Sequence, residues 1–459
     1  MKNENLQAGK LEIEELSLVN YNGEVLDLQT FIYGFDVYED IMSQTMSATL
    51  YMNDGNALIE RLPIIGDERV YMKFKSPIQE EFFENWFHVY KISNRSKVND
   101  NSESYSIELV SYPFLRSQWT TSDRAYTGFF INDIVDRVYK LIHDPVEQLR
   151  KPLVTTETIG KHSFVAPEYT PPLEFINLLA SEARSKKYPD NSAYVFYEDR
   201  NQFNFKSISD LFEGQAVRDY YYSVDNLEQE VGDNNQIFPE QIIETLEYQN
   251  MVDIVKQADM GMYDNVITVI DPIFKQKKDY TFVYENEFDK LSSINLIPNK
   301  VISPLSARKD NDGSSHSRLF VGNLSEGNYY QTSYLKSRCT PVEPLSFFPS
   351  QRHRFMNKKI ALQASLNNVS LNIKTKGASN LKAGDIINVY VPMTTNDERI
   401  AGDYNPFFGD IYTQARFLIM RINHHWDAGE GLYSNHIKIV KDSFATEIIS
   451  EGQLAGGGG

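Results

Sequence analysis

The chain has 459 residues, 41% hydrophobic and 24% charged, which is room for about two to four domains with substantial cores and excludes wholesale disorder. A formal charge of −18 opposes tight nucleic-acid binding, which needs basic surface to replace phosphate counterions. No apolar run approaches the roughly 20 residues that a membrane-spanning helix needs, MKNENLQAGK has no signal-peptide core, and the single cysteine, Cys339, excludes an internal disulfide and any multi-cysteine metal site.

Residues 1–115 read as strands. FIYGFDVYED, SATLYMND, RVYMKFKS, FHVYKISNRS and SYSIELVSY are short, rich in β-branched and aromatic residues, and separated by Gly, Asn, Asp, Pro or Ser. Their spacing predicts an antiparallel sandwich or barrel. Over 116–222 the pattern changes to a helix-containing α/β insertion. TGFFINDIVDRVYKLIHD sets Phe130, Ile134, Val138, Leu141 and Ile142 at helical spacing, with Pro145 beyond the end. In PEYTPPLEFINLLASEARS, Thr170 is a candidate N-cap and Pro171 suits the first helical position. Leu173, Ile176, Ala180 and Ala183 form one apolar face, which Phe175 and Leu178 widen, so this helix is expected to be buried on two sides. AYVFYED and QFNFKSI then read as a hairpin.

Five acids cluster around that helix: Glu168, Glu174 and Glu182 on or beside it, and Glu198 and Asp199 at the end of the next strand. Two carboxylates can hydrolyse a glycoside when one is held protonated and the other ionised, about 5–9.5 Å apart. With 63 acids in the chain, however, several near one helix are expected, and no spacing selects a pair. Glu174 suits the positive end of the helix dipole, and Glu182 with Arg184 and Lys186 reads as a solvated edge. His424 and His425 are adjacent on a strand, where neighbours point to opposite faces, so both cannot readily hold one ion from the same side; His436 across the hairpin could join either one. Polar packing at a hairpin end is the simpler reading. No phosphate loop, zinc-protease helix or serine elbow is present. No catalytic, cofactor-binding or metal-binding residue is assigned.

Beyond this region, 223–257 reads as an exposed, acidic connection. NVITVID and KDYTFVYE are strands within 258–300, expected to belong with 351–445 in a second β-domain. Residues 301–350 read as a long loop or insertion, and 446–459, ending AGGGG, as a flexible tail. Two β-domains are suggested by an internal repeat. FHVYKISN at Phe87 matches FLIMRINH at Phe417, and IELV at Ile107 matches IKIV at Ile437, both pairs 330 residues apart. Gly66-Asp67 before Val70-Tyr71-Met72 is matched by Gly384-Asp385 before Val389-Tyr390-Val391. Gly-Asp is a turn signal and the run after it a strand.

LPIIGDERVYMKF, PEYTPPLEFINLLASEARS with SAYVFYEDRNQFNFKSI, GMYDNVITVID, and LKAGDIINVYVP with RFLIMRINHHWDAGEGLYSNHIKIV occur in an order that resembles the baseplate hub proteins of contractile-tailed bacteriophages. The fold of that family recurs in the N-terminal part of type VI secretion spike proteins. The resemblance implies an α+β, mainly β chain with two related tail-tube-like antiparallel β-barrels and an inserted helix-containing α/β domain. It implies a homotrimer in the virion tail, adapting a sixfold tube to a threefold central spike protein. Expected partners are that spike, tail tube or tube-initiator proteins and baseplate wedge proteins. DNA would pass through the lumen without specific binding. The chain would be made in the host cytoplasm without membrane insertion, and would not be an enzyme. The hub of a non-contractile tail, a type VI spike component and a cell-wall-degrading tail hydrolase are the alternatives.

Overall fold

The computed structural model describes residues 9–222, 238–295, 318–322, 355–391 and 415–443, apart from short gaps within these spans. The first β-domain comprises β1 (Glu12–Val19), β2 (Val25–Asp27), β3 (Ile32–Asp40), β4 (Ser47–Asp54), β5 (Arg69–Lys75), β6 (Phe83–Asn99) and β7 (Ser102–Val110). They pair antiparallel in the order β3-β4-β7-β6-β5-β1-β2, and no ladder among the described residues joins β2 back to β3, so this first barrel stays open at that seam. Alternation along each strand turns one side chain in two toward a common core, which holds Phe35, Val37, Leu50, Val70, Phe74, Phe87 and Ile107.

The insertion supplies β8 (Ala125–Phe129), β9 (Leu153–Thr155), β10 (His162–Val165), β11 (Tyr194–Glu198) and β12 (Phe203–Ser207), with helices over Ile131–Tyr139 and Pro172–Glu182. Strand β13 (Ala216–Tyr222) then enters the second barrel with β14 (Ile242–Asn250), β18 (Val369–Lys376), β19 (Ile386–Tyr390), β20 (Ala415–Asp427) and β21 (Leu432–Lys441). The ladder β13-β14-β18-β21-β20-β19 closes on itself through β19 and β13. Two links in it are parallel, β13 with β14 and β13 with β19, which departs from the expected antiparallel barrel. The reason is that β13 arrives from the insertion rather than through a hairpin, and parallel neighbours need long connections.

Strands β15 (Asp264–Asp271), β16 (Gln276–Val283) and β17 (Arg318–Gly322) form a separate three-stranded sheet. This corrects the expectation that 258–300 belongs to the second barrel. That perimeter is already filled by β13 and β14, from stretches assigned to the insertion and to a connection, and a closed barrel has no free edge to accept more strands. The separate sheet instead packs on the Met356–Ser365 helix through Met262, Tyr263, Phe282, Ala361 and Ala364. Part of the expected 301–350 loop is therefore strand, since Arg318–Gly322 pairs parallel with β15. The remainder of that loop, the acidic run 223–237 and the 446–459 tail lie outside the described residues.

The internal repeat is visible at the level of register. His88, Val89, Lys91, Ile92 and Ser93 of β6 face Val110, Leu109, Glu108, Ile107 and Ser106 of β7. Leu418, Ile419, Arg421, Ile422 and Asn423 of β20 face Val440, Ile439, Lys438, Ile437 and His436 of β21, all 330 residues further on. Both ladders carry a bulge at the same place, after Val89 and after Ile419. The match continues outward. Ala48 faces Leu109 as Leu371 faces Ile439, and Phe35 faces Leu50 as Leu246 faces Ile373. Val70 stands opposite Phe87 as Ile387 stands opposite Phe417. Ile387 is thus the counterpart of Val70, and aligning the two Val-Tyr runs slips this strand by two residues, a shift that leaves every side chain on the same face.

The Pro172–Glu182 helix starts one residue later than expected. Pro171 takes an extended conformation (φ −59°, ψ 142°), as a residue before proline must, and Pro172 is the first helical residue. Leu173, Phe175, Ile176, Leu179 and Ala180 are buried against the other helix and β11, while Leu178 is 44% exposed, so the helix has one broad buried face rather than two. The other helix runs Ile131–Tyr139, shorter than its periodicity suggested, with Phe130 at its N-cap position and Ile142 buried beyond its end. Ile176→Asp puts an unpaired charge into this core and should lower stability by about 4 kcal/mol or more, whereas Glu174→Gln, at an exposed first-turn position, should change it by less than about 0.5 kcal/mol. Chemical denaturation of the two variants measures both effects.

Candidate functional site

The features that sequence reading singled out converge where the first barrel, the insertion and the second barrel meet. Strand β11 is buried along its whole length because its two faces serve different cores. Tyr194 and Phe196 point into the helical core, while Val195 and Tyr197 join Ile386, Leu418, Met420 and Val440 of the second barrel and Ile41 of the first. A strand covered on both sides must be apolar at consecutive positions, which is why AYVFY lacks alternation.

The corner after β11 carries the charged part of the joint. Glu198 is buried, accepts the amide N–H of Met46 in the first barrel at 2.9 Å, and pairs with Lys151 Nζ at 2.8 Å. Asp199 accepts from the amides of Asn201 and Gln202 and from Asn204 Nδ2, and lies 3.4 Å from Lys382 Nζ of the second barrel. Arg200 reaches both barrels, donating to the Ser379 carbonyl and pairing with Glu81 at 2.7 Å. Ser379 in turn donates from its amide and hydroxyl to Gln79 Oε1 of the first barrel. Lys151 and Lys382, together with backbone and side-chain N–H donors, therefore occupy both carboxylates. Glu168 and Glu174 are exposed and Glu182 half-buried on the helix beside them. Glu198 and Asp199 thus hold the insertion against the first and second barrels respectively.

One member of this joint was missed. Glu39 is fully buried, with Oε2 accepting the Ala383 N–H at 3.1 Å and Oε1 at 3.9 Å from His424 Nε2. Burial, aided by the nearby charge of Asp199, pushes its carboxyl up to about 8, so Glu39 is protonated at neutral pH. Burial likewise pushes His424 down to about 3, leaving a neutral ring whose Nδ1 lies 2.8 Å from the Tyr433 hydroxyl. The signal was available, since Phe35, Val37 and Glu39 share one face of β3, the first two are apolar, and Ile41 just beyond the strand continues the alternation.

His425 points away from His424, as strand geometry requires. Its Nδ1 lies 2.8 Å from Asp36 Oδ1, and this hydrogen bond raises the imidazole above its ordinary value. Burial alone would raise Asp36, but hydrogen bonds from His425, Tyr51 and Asn423 hold it below the usual carboxylate range. His436 sits on the same face, its ring 5.4 Å from that of His425. Among the described residues no group of three or more His, Cys, Asp or Glu side chains is arranged to hold a metal ion, and Cys339 lies outside them. No described helix is long and apolar enough to cross a membrane.

The fold these units build is that of phage tail proteins. The tail protein from Neisseria meningitidis MC58 superimposes over 93% of this chain and 96% of its own, at 10% identity and a TM-score of 0.52. The 43 kDa tail protein of prophage MuSo2 from Shewanella oneidensis does so over 94% and 99%, at 9% identity and the same TM-score of 0.52. A type VI secretion system component from E. coli aligns over 95% of this chain and 77% of its own, at 9% identity and a TM-score of 0.44. No family model matches the sequence, and no curated protein matches it.

Two measurements probe the joint. Gly384 has φ +90°, and a Cβ there would lie 2.5 Å from the Tyr197 hydroxyl, whereas Gly66, in the matching Gly-Asp turn with φ +100°, has open space around it. Gly66→Ala should cost about 1–2 kcal/mol from backbone strain alone, and Gly384→Ala clearly more, as read by thermal melting. The Glu39 carboxyl binds its proton more tightly folded than unfolded, so its contribution is fully present below about 4.5 and is lost as pH rises through about 8. Glu39→Gln keeps the acceptor for Ala383 and removes the titration. The variant should match the wild type near pH 4 and exceed it by on the order of a few kcal/mol above pH 8.

Proposed function

We propose that this protein is a structural component of a phage tail, a baseplate hub whose three copies form a ring that continues the tail tube onto a threefold central spike. The observation that carries this reading is the duplicated register. Five strands of each barrel share one pairing pattern, down to the bulge after Val89 and Ile419, and the barrels are fused by a ladder between β20 and β3. One chain thereby offers two similar surfaces at a fixed spacing, and three chains around an axis offer six, which is what a threefold object needs in order to contact a sixfold tube. The tail-protein fold of the Neisseria and Shewanella structures supports the same reading.

On this reading the partners are a central spike, tail tube or tube-initiator proteins and wedge proteins, the protein resides in the virion tail, and its role is contact and symmetry adaptation rather than catalysis. The net charge of −18 favours passage of DNA through the ring without adhesion. A cryo-microscopy map of the intact tail tests the proposal. Six barrel densities from three chains in one ring are expected at the tube end, and a ring built from six chains, or a position away from the tube axis, would overturn it.

A further inference from the structure

The outer face of the second barrel holds a groove of about 560 Å³ across β14, β18, β21 and β20, with Lys374, Arg421, Asn423, His436, Lys438 and Glu247 in its lining. Lys438 stands directly opposite Arg421, and Lys374 directly opposite His436. Like charges at facing positions of an antiparallel ladder are destabilising. The first barrel shows how the repeat otherwise handles this position. There Lys91 faces Glu108, and the two form an ion pair of 3.1 Å at the same bulge. A lysine stands in the second barrel where the first has Glu108, so an attractive pair has become a repulsive one.

Arg421 finds relief on its other side, in Asp40 at 2.7 Å. Lys374 and Lys438 have no ion-pair partner among the described residues. Among the described residues Glu247 of β14, opposite Asn372, is the one carboxylate lining the groove, three strands away from Arg421. Burial chiefly, with His425 and Lys374 adding to it, holds His436 below its ordinary value, while the Asp36 carboxylate acts the other way.

We propose that this groove is an oxyanion site, in which Lys438, Lys374 and Arg421 surround a small phosphate-class anion while the His436 ring N–H supplies a hydrogen bond. The anion supplies the negative charge that Glu108 provides in the first barrel, and it relieves the Lys438–Arg421 repulsion. The site does not depend on the assembly role proposed above. Because the groove is open to solvent, binding is strongest at low ionic strength.

The test is a titration of the full chain with inorganic phosphate at pH 6.5 and low salt, following the His436 imidazole signals by NMR, with chloride at matched ionic strength as the reference. A saturable shift with phosphate and none with chloride is expected. Lys438→Glu, which restores the charge pattern of the first barrel, should weaken binding at least tenfold while melting at the same or a higher temperature, so that lost binding cannot be lost folding. Equal responses to the two anions, or undiminished phosphate binding by Lys438→Glu, would overturn the site. A single-stranded oligonucleotide that binds where inorganic phosphate does not would also overturn it, in favour of a polymer track.

Discussion

The seven-residue ladder from Arg421 opposite Asp40 to Asp427 opposite Gly34 makes two barrels into one object. Strand β20 gives one edge to β21 along its length and divides the other, pairing with β19 near its start and with β3 toward its end. Backbone hydrogen bonds thus run unbroken from the second barrel into the first, and the relative position of the two is set by register rather than by a linker. Gly34 permits this approach, because a Cβ there would lie 2.9 Å from the Trp426 carbonyl oxygen. The end of the β20–β21 hairpin then enters the neighbouring core, where Trp426 packs 5.5 Å from Phe35 and Tyr433 lies edge-on to Phe74 at 5.8 Å.

The insertion reinforces that register with buried polar groups. Such groups contribute little net stability, since desolvation offsets most of the attraction, but misplacing one partner leaves an uncompensated charge. Glu198 with the Met46 amide, Asp199 with Lys382 and Arg200 with Glu81 each lose their partner if a unit shifts. Glu39 resolves the same problem differently, by keeping its proton. A joint built this way tolerates one arrangement of three units and penalises neighbouring ones.

The two β-domains share one pairing framework and differ on their outer faces. The positions of Lys91 and Glu108 in the first barrel correspond to those of Arg421 and Lys438 in the second, with the same pairing and bulge but a different sum of charge. Geometry is held by the inward residues, which pack in both cores, so the outward ones can differ without disturbing it. Two barrels alike in backbone can therefore present distinct surfaces.

Much of the local structure was legible in the sequence because it depends on neighbours along the chain. SATLYMND is β4 from end to end, the Gly-Asp turn at Gly66 and its counterpart at Gly384 both use a positive φ, and the 330-residue repeat predicted a pairing that matches residue for residue. Tertiary structure alone decided which strands share a sheet. AVRDYYY at 216–222 and IIETLEYQN at 242–250 close the second barrel while NVITVID does not, since closure depends on which edge is free once the other strands are in place. The same holds for the carboxylates. Composition showed that acids were plentiful around one helix. Only the folded chain placed Lys151, Lys382 and the Met46 amide against Glu198 and Asp199, because those donors come from 47 to 183 residues away in sequence and no local pattern records such distances.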